Sequence, residues 1–106
     1  MNRRIPSDNE QKILIAEVQE CCPICQKPLL DKKNGKIIKK YEMAHIYPLN
    51  PTEREKEILK DVEKINDNVN DLDNFIALCN ECHTRYDTLK TRDEYEKLLE
   101  IKKECL

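Results

Sequence analysis

The stretch NFIALCNECHTRYD, Asn74 to Asp87, decides how this chain reads. An apolar run leads up to Cys79, a second cysteine follows after Asn80 and Glu81, and the polar segment continues as NECHTRYDTL. This pattern predicts a short strand passing into a helix, with a Cys-x-x-Cys pair at the junction. A matching pair, Cys22-Pro-Ile-Cys25, lies far upstream in a proline-containing turn.

A two-residue spacer lets both thiolates turn onto one cation at about 2.3 Å, and two such pairs complete the closed tetrahedral set of a structural zinc site. Cys22, Cys25, Cys79 and Cys82 are the predicted ligands. The implied layout is a knuckle, a hairpin and a helix, the treble-clef arrangement. A closed four-cysteine site has no open coordination position, so its zinc would hold the fold, and chemistry must come from elsewhere. Cys21 fits less well, because pairing it with Cys25 needs a three-residue spacer, and Cys105 reads as a free thiol. A redox reading of the Cys-x-x-Cys pairs lacks the βαβ context such sites need.

Composition agrees that a staple is required. A chain of 106 residues has room for one small domain with little core to hold it, expected to span 1–106, with a fragment of something longer as the alternative. One Phe, four Tyr, no Trp and 38% charged residues exclude a large aromatic core. The N-terminus MNRRIPSDNEQ has no apolar run like a signal peptide, and no segment reaches membrane-spanning length. The expected location is cytoplasmic, where thiols stay reduced and bind metal rather than pair. The formal charge of -2 argues against nucleic-acid binding by bulk electrostatics, yet residues 1–40 carry nine Lys/Arg against five Asp/Glu. Lys27, Lys32, Lys33, Lys36, Lys39 and Lys40 cluster around the turn at Asn34-Gly35. They read equally as a solvated lysine fringe or a phosphate-contacting patch.

Ser7 followed by Asp8, Asn9 and Glu10 predicts a helix over about 7–20. Asn34-Gly35 between Leu-Leu and Ile-Ile pairs predicts a β-hairpin. Thr52 with Glu55 forms a capping-box pattern before Ile58, Leu59, Val62 and Ile65, which predicts a helix over about 52–65. The run Asn66 to Asp73 reads as a loop, and Thr91 with Glu94 starts a last helix over about 92–104. The expected class is therefore α+β, a small zinc-stapled finger over about 20–90 with added helices.

The chain has two histidines, His45 in YEMAHIYPLN and His83 directly after Cys82. One residue along a helix is about 100° of rotation, so if Cys82 faces zinc, His83 faces another side, toward the hairpin that could present His45. Asn74 completes a His, Asn, His order. Together, Cys22-x-x-Cys25, His45-Ile46-Tyr47-Pro48 and Asn74-Phe-Ile-Ala-Leu-Cys79-x-x-Cys82-His83 resemble the zinc-containing branch of the HNH endonucleases.

The resemblance implies a ββα-metal finger that hydrolyses phosphodiester bonds, usually in DNA, with one catalytic divalent ion such as Mg2+, Mn2+ or Ni2+. It implies His45 as general base, Asn74 as a positioning residue and His83 as a ligand of the ion. The commonest form of the motif has Asp before the base, where this chain has Ala44. Asp87, four residues after His83 on the same helix face, is the first candidate to replace it, and Glu42 is the second. The Ala-His-Ile form resembles nuclease modules of bacterial anti-phage defence systems, which implies partner proteins or further domains for targeting. The rival reading is a non-catalytic treble-clef module that binds nucleic acid or protein.

Overall fold

A computed structural model describes residues 3–106. Helix α1 (Asp8–Glu17) leads through the cysteine knuckle to strands β1 (Leu30–Lys33) and β2 (Lys36–Lys39). Strand β3 (Tyr41–His45), helix α2 (Glu53–Ile58), strand β4 (Phe75–Cys79), helix α3 (Asn80–Leu89) and helix α4 (Arg92–Cys105) follow. The architecture is α+β, with two separate two-stranded antiparallel sheets, β1 with β2 and β3 with β4.

The second sheet is the centre of the molecule. All five residues of β4 are buried, and its register sets His45 opposite Phe75 and Tyr41 opposite Cys79. Helix α3 packs on this sheet, so β3, β4 and α3 form a ββα unit. Leu14 of α1, Leu29, Ile46, Phe75, Ile76, Leu78, Tyr86, Tyr95 and Leu98 form the fully enclosed part of the core. His45 therefore sits on a strand of the central sheet rather than on the Asn34-Gly35 hairpin. Lys40 separates the two sheets along the chain.

Two helices stop earlier than the sequence predicts. Helix α1 starts at the Ser7 cap with a full capping box to Glu10 but ends at Glu17. Gln19 and Glu20 then adopt left-handed φ values of 56° and 62°, reversing the chain so that Cys21 bridges to Pro28 and the knuckle can form. Helix α2 starts at the Thr52 capping box but ends at Ile58 instead of 65. Asp61 is left-handed at φ 66°, and α4 takes up carbonyls in this segment: Arg92 donates to Lys60 O at 3.1 Å and the Tyr95 hydroxyl donates to Glu63 O. Tertiary donors here replace the helix's own, and Val62 and Ile65 still pack on the core.

The hairpin forms as its turn dictates, with Asn34 and Gly35 both at positive φ. It contributes almost nothing to the core: every residue of β2 is exposed, including Ile37 at 74%. Helix α4 is tied down at both ends, by Arg85 to Glu94 and by the buried Lys102 to Glu17 at 2.6 Å. No helix among the described residues is long and apolar enough to cross a membrane.

Candidate active site

The four predicted cysteines come together. Cys22 and Cys25 lie in the knuckle turn, Cys79 is the N-cap of α3, and Cys82 is in its first turn. Their sulfurs all lie within 4.8 Å of one another, which fits the edge of about 3.8 Å that a tetrahedron of Zn–S bonds requires. Cys21 and Cys105 are outside this group, and Cys105 donates instead to Glu17 O. Burial raises the Cys25 thiol, but the Lys27 backbone hydrogen bond and the neighbouring sulfurs outweigh it and bring it down to about 7. Burial, reinforced by the other thiols, pushes Cys82 up to about 12. Four sulfurs held this close cannot all ionise alone, and a dication is the group that resolves the conflict.

The ββα unit gathers the remaining chemistry. His45 ends β3, 8% exposed, with its ring tilted against Phe75 at a centroid distance of 4.3 Å. The residues after it are clamped at both main-chain groups. Ile46 N donates to Asn74 O at 2.8 Å, and Ile46 O accepts from the buried Tyr86 hydroxyl at 2.7 Å. Burial lowers the His45 pKa, the hydrogen bond to Asn70 opposes this, Arg3 and Lys90 lower it further, and Asp87 raises it.

Asn74 is 1% exposed and uses its whole amide. Tyr47 N donates to its Oδ1 at 3.0 Å, and its Nδ2 donates to Tyr47 O at 3.0 Å and Val69 O at 2.8 Å. It thus joins the segment following His45 to the 66–73 loop. Its side chain makes no hydrogen bond to the imidazole. That contact belongs to Asn70, whose Oδ1 lies 2.9 Å from His45 Nε2. Sequence reasoning missed Asn70, because it stands in a run of Asn and Asp where every member looks like a turn residue.

His83 Nε2 is buried without a hydrogen-bond partner, and Asp87 Oδ2 lies 3.6 Å from it, one turn further along α3. A buried, unpartnered ring nitrogen beside a half-exposed carboxylate is a donor set that fits a divalent cation, since leaving such an atom unpaired is otherwise costly. Asp87 is also close enough to act on the charge of His45. Ala44 is fully buried opposite Ile76 and offers no donor. Glu42 is exposed, and its carboxylate makes no hydrogen bond or ion pair among the described residues.

A family model described as HNH endonuclease matches residues 22–90, from the first zinc-knuckle cysteine to the end of α3. The chain belongs to the HNH endonuclease family. No curated protein matches it. The matched span of this HNH domain contains the four clustered cysteines, His45, Asn74, His83 and Asp87. The flanking helix α1 lies outside it, as does α4.

Proposed function

We propose that this HNH domain is a metal-dependent endonuclease that hydrolyses phosphodiester bonds in DNA. The observation that carries the reading is the buried, unpartnered His83 Nε2 facing Asp87 within reach of His45. A closed zinc site at Cys22, Cys25, Cys79 and Cys82 would serve structure alone. His83 and Asp87 would hold a catalytic Mg2+, Mn2+ or Ni2+. Such an ion would supply positive charge against the scissile phosphate and the leaving 3′ oxygen.

His45 is the general base. Burial keeps its imidazole neutral near neutral pH, the form that can accept a proton. It takes one proton from water, the resulting hydroxide attacks phosphorus, and the bond to the 3′ oxygen breaks. The products are a 5′-phosphate and a 3′-hydroxyl, whose proton comes from solvent. Asn74 is a positioning residue: by fixing both main-chain groups of Tyr47 it holds the strand end that carries the base.

The β1–β2 hairpin supports a polyanionic substrate. Lys32, Lys33, Lys36 and Lys39 are exposed and lack a carboxylate partner among the described residues, whereas Lys40 is paired with Asp31 at 3.0 Å. Four such cations on one arm suit salt-dependent contact with a phosphate backbone. The Ala44-His45-Ile46 form and the modest basic patch favour an anti-phage effector in the cytoplasm whose targeting comes from partner proteins or further domains.

The test is supercoiled plasmid incubated with zinc-loaded protein and Mg2+, Mn2+ or Ni2+. Nicking that EDTA abolishes supports the nuclease. Retarded but intact plasmid under every ion supports the non-catalytic binding module instead.

A further inference from the structure

The contact between His45 and Asn70 has a chemical consequence. Asn70 Oδ1 lies 2.9 Å from His45 Nε2 and also accepts the main-chain N–H of Arg4 at 3.4 Å. The Arg4 donor fixes the amide's orientation, because turning the Nδ2 group into that place would set donor against donor. An oxygen that only accepts then faces Nε2, so Nε2 carries the hydrogen. In a neutral imidazole the lone pair is left on Nδ1.

The main chain of Asn70 is held as well, and so are the groups on either side of it. Arg4 Nη1 donates to Asn70 O at 3.2 Å, and Asn68 Oδ1 accepts Asn70 N at 3.1 Å. Asn74 grips the preceding carbonyl, Val69 O, and Arg4 Nη2 is paired with Glu10 in the capping box of α1. Arg3 reaches across to Met43 O, on β3 two residues before His45, at 2.9 Å. The N-terminal segment therefore runs as a strap from α1 over the loop and strand that hold the base.

We infer that Asn70, locked by the Arg4 strap, is a positioning residue that fixes His45 in its Nε2–H tautomer and makes Nδ1 the atom that takes the proton from water. The inference rests on His45 being the general base. When Nδ1 gains that proton, the imidazolium still donates from Nε2 to the Asn70 oxygen, so no group has to reorient during the step.

The experiment is 15N NMR of histidine-labelled, zinc-loaded protein, comparing wild type with Asn70→Ala, Asn70→Asp and Arg4→Ala, alongside plasmid-cleavage kinetics. Wild type should show one neutral tautomer protonated at Nε2. Asn70→Ala should show averaged ring-nitrogen shifts and a kcat reduced by about tenfold to a hundredfold with KM unchanged. Asn70→Asp, which can still accept from Nε2, should restore the single tautomer and move the acid limb of the pH–rate profile upward. Arg4→Ala, which leaves the main-chain donor in place, should fall between wild type and Asn70→Ala. A wild-type His45 protonated at Nδ1, or an Asn70→Ala protein with unchanged shifts and kcat, would overturn the inference. His45→Ala cleaving at the wild-type rate would sink the base reading separately, whatever the tautomer spectra show.

Discussion

His83 Nε2 and Asp87 Oδ2 face each other at 3.6 Å across one turn of α3, and the nitrogen has no other polar partner. Asp87 is half-exposed, so its removal should leave the fold intact while taking away half of this donor pair. Asp87→Ala is expected to weaken Mn2+ binding, read by calorimetry, and to lower cleavage by about tenfold to a hundredfold, with the melting temperature nearly unchanged. Unchanged Mn2+ affinity would remove Asp87 from the site.

The pH dependence follows from His45. Its pKa lies below the ordinary 6.5, chiefly through burial. Cleavage should rise with pH through this depressed value and level off above it, since only the neutral ring accepts a proton. Stability has the same sign: between the folded pKa and 6.5 the unfolded chain binds more protons, so folding weakens as pH falls through that window and the loss is complete below the folded pKa. A pH–rate profile and denaturant melts across the window check both. A rate falling as pH rises from 5 toward 7 would contradict the assignment.

Zinc should bind with one ion per chain through Cys22, Cys25, Cys79 and Cys82, the only described sulfurs that cluster. Cys82→Ser should lose zinc and unfold the knuckle, because the site joins the chain before β1 to the first turn of α3 and the small core supplies little else. Cys21→Ser should keep both zinc and the wild-type melting temperature. Atomic absorption and circular dichroism distinguish the two, and zinc loss in Cys21→Ser would mean that Cys21 rather than Cys22 is the ligand.

Asn74 makes three side-chain hydrogen bonds in a buried place. Asn74→Ala would strand Tyr47 N–H, Tyr47 O and Val69 O, at a cost of about 2–4 kcal/mol in unfolding free energy. Asn74→Asp can accept from Tyr47 N but cannot donate to either carbonyl, and it adds a buried charge, so it should be at least as damaging. Urea melts measure both variants. Wild-type stability in Asn74→Ala would mean that the clamp contributes little.

Much of this arrangement is legible in the sequence because it is local. Cys79, Cys82, His83 and Asp87 are placed by one strand-to-helix junction, and helical spacing alone puts His83 and Asp87 on one face. The hairpin follows from Asn34-Gly35. What the sequence hides is nonlocal. His45 meets Asn70 across 25 positions, and Arg4 meets Asn70 across 66, through contacts that depend on how the loop and N-terminus run over the central sheet. The early end of α2 is hidden likewise, since the carbonyls of Lys60 and Glu63 just beyond it are taken by Arg92 and Tyr95 of a later helix. Ser7 and Thr52 announce where helices begin, but no comparable local signal marks these ends.

The most direct test of the central claim compares plasmid cleavage by wild type and His45→Ala, both zinc-loaded, under matched Mg2+, Mn2+ or Ni2+ and with circular dichroism confirming the fold of each. Ion-dependent nicking by wild type, lost by about a hundredfold or more in His45→Ala, is the predicted result. A folded His45→Ala protein that nicks at the wild-type rate would contradict the account, and so would a folded wild type that nicks under none of these ions.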